Sequence, residues 1–279
     1  MLRTSLILAT FMLATSLVSA EPSGPKPEST ASEQSSAETE SQKFARDRLL
    51  DMARFLGNRE TFGVTMRAGY EVVQDSGQKI EFGEIREIIV DRPEHIRVTE
   101  VASHGNQSFM LFDGKQITMF DGETSLFAQA PQPGDIDATV IYFVRDLKMR
   151  LPLAPMLMEG FSEELQRRVQ SIEYVERTDI MGEPAHHIVA RTANVDFQVW
   201  IADSKRPLPL RIVLNYPHQE GTPQFWANFS KWDLSPRIRK STFEFKPPTD
   251  AQQIVFVVQV IPVPSDSPTS QNQNEGGKP

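Results

Sequence analysis

The chain has 279 residues, 39% of them hydrophobic and 24% charged, with a formal net charge of −8 and no cysteine. That hydrophobic share suffices for a sizeable core in one large β domain or two small domains. The acidic balance argues against a nucleic-acid partner, because neutralising phosphates takes clustered Lys and Arg. The lack of Cys rules out a disulfide framework, thiolate metal ligands and an acylated cysteine anchor.

The N-terminus reads as a targeting segment. Arg3 precedes an apolar run from Leu6 to Val18, and Val18-Ser19-Ala20 forms a small-residue cleavage site. Thr4, Ser5, Thr10, Thr15, Ser16 and Ser19 interrupt the roughly 20 apolar residues that a membrane span needs. Residues 1–20 are therefore expected to be a signal peptide, cleaved after Ala20, which leaves no stable membrane anchor. Export without disulfides points to a bacterial periplasm. Residues 21–41, rich in Pro, Ser, Glu and Thr, have too little to bury to offset the entropy of ordering, and 265–279 read the same way. Between these two segments lies one expected domain, 42–264.

Ala45, Leu49, Met52, Ala53 and Leu56 fall at helical spacing, which predicts a helix over 42–56 with Gly57 as its cap. Strands are expected over 61–73, 78–90 and 94–102. Asp113-Gly114 and Asp121-Gly122 bracket a short strand, 116–120, so 108–130 reads as a tight meander. The period then changes. Ile136, Val140, Phe143, Val144 and Leu147 predict an amphipathic helix capped by Asp135 or Asp137. Residues 151–158, LPLAPMLM, are apolar, and their two prolines forbid a regular helix. A short helix is expected over 162–169.

Three strands follow within 171–216. Val195, Phe197, Val199 and Ile201 alternate with Asp196, Gln198, Trp200 and Ala202, and Leu208 to Tyr216 repeats the pattern. Residues 224–234 and 252–261 complete the series. The class is mainly β with a few helices: one antiparallel sheet, too wide to stay flat, with helices on one face.

Chemistry-bearing constellations are sparse. His186 and His187 are neighbours on a strand, so their rings point to opposite faces and cannot easily share an ion. No nucleophile elbow, zinc-protease helix or phosphate-binding loop occurs, so no catalytic residue, metal or cofactor is expected and the reading is non-enzymatic. The aromatic strand Phe225, Trp226, Phe229, Trp232 reads as core or as a binding platform. Residues 151–158 read as buried loop or as a lid whose flexible Met side chains re-pack around apolar ligands.

The run HHIVARTANVDFQVWIADSKRPLPLRIVLNY, with PQFWANFSKWDLSP and FEFKPP after it, resembles a family of predicted periplasmic bacterial proteins within the LolA/LolB lipoprotein-carrier superfamily. Family members often carry Cys where this chain has Ala185. The Asp-Arg-Pro turn followed by FDGKQITMFD likewise resembles LolA-type carriers. The resemblance implies an incomplete, strongly curved antiparallel barrel covered by helices, and it supplies no function.

Alternation and the polar-free loop together predict a non-polar pocket. Ile96, Val98, Phe109, Leu111, Phe197, Val199, Ile212 and Leu214 would line it, with Leu153, Met156 and Leu157 as the lid. Arg92, directly before Pro93, would latch that lid, a role implied by the resemblance. The expected function is a carrier or sensor holding a lipid or lipoprotein acyl chain, driven by about 0.8 kcal/mol per buried CH₂. The alternative is an envelope protein–protein interaction module with a filled core.

Overall fold

The computed structural model describes residues 38–146 and 151–256. The expected signal peptide, most of the linker, Leu147, the end of the last strand and the C-terminal tail lie outside the described residues.

Helix α1 (Glu40–Gly57) opens with a capping box: the Thr39 hydroxyl accepts from the Gln42 amide, and the Gln42 side chain accepts from that of Thr39. This pair starts the helix at Glu40 rather than at 42. Ala45, Leu49, Met52, Ala53 and Leu56 form its buried stripe. The predicted cap is wrong by one residue. Gly57 is the last helical residue and Asn58 the cap. Gly57 answers to packing, since a Cβ there would lie 2.5 Å from the Glu159 carbonyl oxygen.

The strands are β1 (Thr61–Val73), β2 (Lys79–Asp91), β3 (His95–Ala102), β4 (Gln107–Asp113), β5 (Gln116–Asp121), β6 (Leu126–Pro131), β7 (Ser171–Ile180), β8 (Glu183–Arg191), β9 (Asp196–Ala202), β10 (Pro209–Asn215), β11 (Gln224–Asp233) and β12 (Gln252–Ile254). Helices α2 (Ile136–Ile141) and α3 (Phe161–Arg168) lie between β6 and β7. All twelve strands form one open sheet in the order β12-β6-β5-β4-β3-β2-β1-β11-β10-β9-β8-β7.

Every neighbouring pair is antiparallel except β12 with β6, which corrects the purely antiparallel expectation. The cause is the route of the chain. After β11, residues 236–251 cross the outer face of the sheet as a strap, so β12 reaches the β6 edge from a distance instead of through a hairpin. Phe243 stacks on His95 on the way, and Phe245 sits among Phe109, Phe120 and Phe127.

Laid flat, twelve strands at about 4.8 Å spacing would span about 53 Å, while one helix is about 10 Å across. Yet a single core cluster joins α1, α2 and α3 to buried residues from β1 to β5 and from β7 to β11. One cluster can collect both flanks only because the sheet curls around the helices. The result is mainly β, open and curved, with helices in the concavity.

Strand register assigns the faces. Val199 pairs with Ile188 and Ile212, Ile212 with Ala227, and Ala227 with Ala68. Farther along, Phe62 pairs with Val90, Val90 with Ile96, Ile96 with Phe112, and Phe112 with Ile117. This is the concave face. Lys231 sits at positive φ in the irregular stretch of β11. The extra residue there returns Trp232 to the concave side, against Phe62 and Phe229.

Candidate functional site

The concave face changes along the strands. Beneath the helices Phe62, Val90, Ile96, Phe112 and Ile117 are at most 2% exposed. One or two pairs farther, Ile88, Val98, Met110 and Met119 are only half-buried, as are Phe197 and Leu214 on β9 and β10. Past Ile88 and Val98, and level with Phe197 and Leu214, Tyr70 stacks on Phe82 at 5.8 Å, and Val72, Ile80 and Phe82 stand exposed near the β1–β2 turn. The concave face therefore runs from closed core to open end along the same strands.

Residues 151–160 cover part of this face. Pro152 and Pro155 keep the segment out of an α-helix. It makes a single 3₁₀ turn, Ala154–Leu157, entered through Leu153 at φ 68. Ala154, Met156 and Met158 are buried, while Leu151, Leu153 and Leu157 are half-buried against the same core.

Two polar side chains pin the segment. Arg92 Nε donates to the Arg59 carbonyl at 2.9 Å, and Arg92 Nη1 donates to the Leu157 carbonyl. Asp137 accepts from the Glu159 and Gly160 amides at 2.8 and 3.1 Å. Asp137 is free for this because Asp135 caps α2, accepting from the Ala138 amide. Burial lowers the Arg92 pKa, while the nearby Asp137 and Glu159 raise it. Its Nη2 is buried without a partner.

Among the predicted pocket residues, Ile96, Val98, Phe197, Val199, Ile212 and Leu214 share the concave face. Ile96, Val199 and Ile212 are its buried floor. Val98, Phe197 and Leu214 are half-buried. Leu153, Met156 and Leu157 all lie in the covering segment, and Arg92 bonds to it. Phe109 and Leu111 are placed wrongly by the sequence reading. Phe109 pairs with Thr99 and Leu111 with Arg97, both on the outer face, and Met110 and Phe112 are the concave members of β4. Phe109-Met110-Leu111-Phe112 is apolar throughout, so alternation carries no face information there. Pairing outward from the Asp113-Gly114 turn, Phe112 with Ile117 and Met110 with Met119, would have fixed it.

Charged residues on this face went unnoticed in the sequence. Register puts Glu84, Arg86 and Glu100 on the concave side. Arg86 Nε donates to Glu100 at 2.9 Å, and Arg86 Nη2 lies 2.8 Å from Glu84 Oε1. That second contact is an ion pair without hydrogen-bond alignment, which leaves Oε1 buried and unsatisfied. Glu84 is 8% exposed. Its pKa is raised, by burial first and by Glu100 after it, against the lowering effect of Arg86. Burial, followed by Glu84 and Glu100, also raises the Tyr70 phenol.

The histidines separate as strand geometry requires. His186 approaches Tyr174 Oη at 3.3 Å and Asp203 Oδ1 at 3.2 Å, while His187 stacks flat on Trp200 at 4.1 Å and meets Gln198 at 3.1 Å. Among the described residues, no group of three or more His, Cys, Asp or Glu is placed to hold a metal ion.

The family described as predicted periplasmic protein (DUF2092) matches residues 45–257. No curated protein matches the chain. Among solved structures, an uncharacterized conserved protein from Thermus thermophilus is 11% identical with a TM-score of 0.45, over 75% of this chain and 98% of its own. The lipoprotein LppX of Mycobacterium tuberculosis is 12% identical with a TM-score of 0.43, over 71% and 99%. A LolA superfamily protein from Nitrosomonas europaea is 11% identical with a TM-score of 0.35, over 72% and 97%.

Proposed function

We propose that this chain, which belongs to the DUF2092 family of predicted periplasmic proteins, is a non-enzymatic carrier or sensor. Its ligand is apolar, a lipid or an acyl chain, held between the concave sheet face and residues 151–160. The observation that carries this reading is two sets of half-buried apolar side chains on the concave face, Val98, Met110 and Met119 on β3 to β5 and Phe197 and Leu214 on β9 and β10, packed against a closed core. A filled core would bury such residues completely. Hydrocarbon laid on them gains about 0.8 kcal/mol per CH₂, and Met110 and Met119 re-pack around chains of different shape. The cover is tied by Arg92 and Asp137 at its backbone. Shielded charge-assisted bonds of this kind are worth about 1.5–3 kcal/mol each, a size that a ligand's binding energy can exceed.

Exposed Val72, Ile80 and Phe82 support a second reading, in which this end docks on another envelope protein. Native mass spectrometry of protein from the periplasm, followed by fatty-acid titration of the delipidated chain, separates the two. The carrier reading expects co-purified lipid and a dissociation constant of about 1 µM, near −8 kcal/mol. A chain that ignores fatty acids and purifies with a protein instead supports the docking module.

A further inference from the structure

We propose a second, separate binding site on the outer face, for a short zwitterionic peptide with an aromatic side chain. Between β2–β5 and the strap lies a cavity of about 590 Å³, inside the roughly 300–1,000 Å³ range of small-ligand sites. Its apolar wall is Phe109, Phe120 and Phe245, whose ring centroids are 5.3–6.0 Å apart. Four charges, Glu87, Arg97, Glu244 and Lys246, also line it.

The pattern of these charges selects the ligand. Arg97 is set in place: its Nη1 donates to the Thr242 carbonyl at 3.2 Å, and the guanidinium lies 4.8 Å over Phe109. Burial lowers its pKa, yet among the described residues no carboxylate lies within ion-pair distance of it. A guanidinium has five donors in one plane, and the single bond to Thr242 leaves most of them for a ligand. Glu87 and Arg97 are diagonal neighbours on β2 and β3, because Glu87 pairs with Thr99 and Ile89 with Arg97. That offset sets their Cα atoms about 7–8 Å apart, and their charged groups do not close into an ion pair, so one ligand can bridge them.

Two positive and two negative groups give no net attraction for a simple anion or cation. They match a molecule that carries both signs. In the proposed pose a carboxylate meets Arg97, an ammonium meets Glu87, and an aromatic side chain enters the Phe wall, where ring pairs add about 0.5–1.5 kcal/mol.

Calorimetry on the full mature chain tests this with Ala-Phe, its N-acetyl form and its C-terminal amide. Ala-Phe is expected to bind near or below about 1 mM, and each capped form about tenfold more weakly. Arg97→Gln is expected to remove the preference for a free carboxylate. Because Arg97 also ties the strap, Glu87→Gln is the independent variant: it should weaken Ala-Phe and leave the N-acetyl form unchanged. Equal binding of free and capped peptides, no binding at all, or displacement of Ala-Phe by a fatty acid would each overturn the proposal.

Discussion

The two ends of the concave face are built from the same strands and differ in role. On β1 to β5 the closed end presents Phe62, Val90, Ile96, Phe112 and Ile117, at most 2% exposed. On β1 and β2 the open end presents Val72, Ile80 and Phe82, at 37%, 39% and 41%. Hydrophobicity does not distinguish them. What differs is the cover, since α1, α2 and residues 151–160 lie over one end only. Between the two, Glu84, Arg86 and Glu100 put charge on an otherwise apolar face. Alternation thus defines a face, and coverage decides whether that face is core or site.

The comparison breaks first on stability. Phe112→Ala removes a fully buried ring and is expected to cost about 3–5 kcal/mol. Phe82→Ala loses mainly its stack on Tyr70, about 1 kcal/mol. Urea midpoints of the two variants measure the difference, and similar losses would mean that the open end is core after all.

The cover is expected to respond next. Arg92→Leu removes bonds to the Arg59 and Leu157 carbonyls, together with an unsatisfied buried Nη2. These contributions oppose each other, so global stability should change little. Exchange of amides in 153–160 should still accelerate about tenfold or more, with the strands unchanged. Gly57→Ala probes the same contact from the helix. Its propensity gain of about 1 kcal/mol is opposed by a Cβ 2.5 Å from the Glu159 carbonyl oxygen, and exchange near 159 should rise.

The smallest effect concerns the charged boundary. Burial holds the Glu84 pKa above its ordinary value, so the folded state favours its protonated form. The stability this group confers is present below the ordinary carboxylate pKa and is lost as pH rises through the raised one. Glu84→Gln should therefore melt higher than wild type at pH 8. In thermal melts across pH, that gap should close as acid protonates the wild-type carboxyl.

Much of this architecture was legible in sequence where a local rule had one answer. The Asp-Gly turns fixed the meander, and alternation in 195–202 and 208–216 gave the strands β9 and β10, although a register shift between Pro209 and Arg211 takes Leu210 out of the main core to Ala185 and Ala202. Legibility failed where local rules had two answers or none. Four consecutive apolar residues in β4 left its face undetermined. Outer Leu111 is as buried as core, because the strap region covers that side of β4, so burial and concavity are not the same property here. The strap itself depends on a long-range crossing that no local period encodes, and β12 is parallel for that reason. Glu84, Arg86 and Glu100 carry no motif that would single them out, and only register places them on the concave face. Gly57 looked like a helix cap because its real partner, the Glu159 carbonyl, is distant in sequence.

The central claim is that the half-buried concave residues are where ligand lies, and photo-crosslinking tests it most directly. The mature chain would be loaded with a diazirine-bearing fatty acid, irradiated, digested and mapped by mass spectrometry. Adducts are predicted at Val98, Met110, Met119, Phe197 and Leu214, with outer-face Phe109 and Leu111 unlabelled. Labelling confined to the outer face, or to Val72, Ile80 and Phe82 alone, would contradict the account.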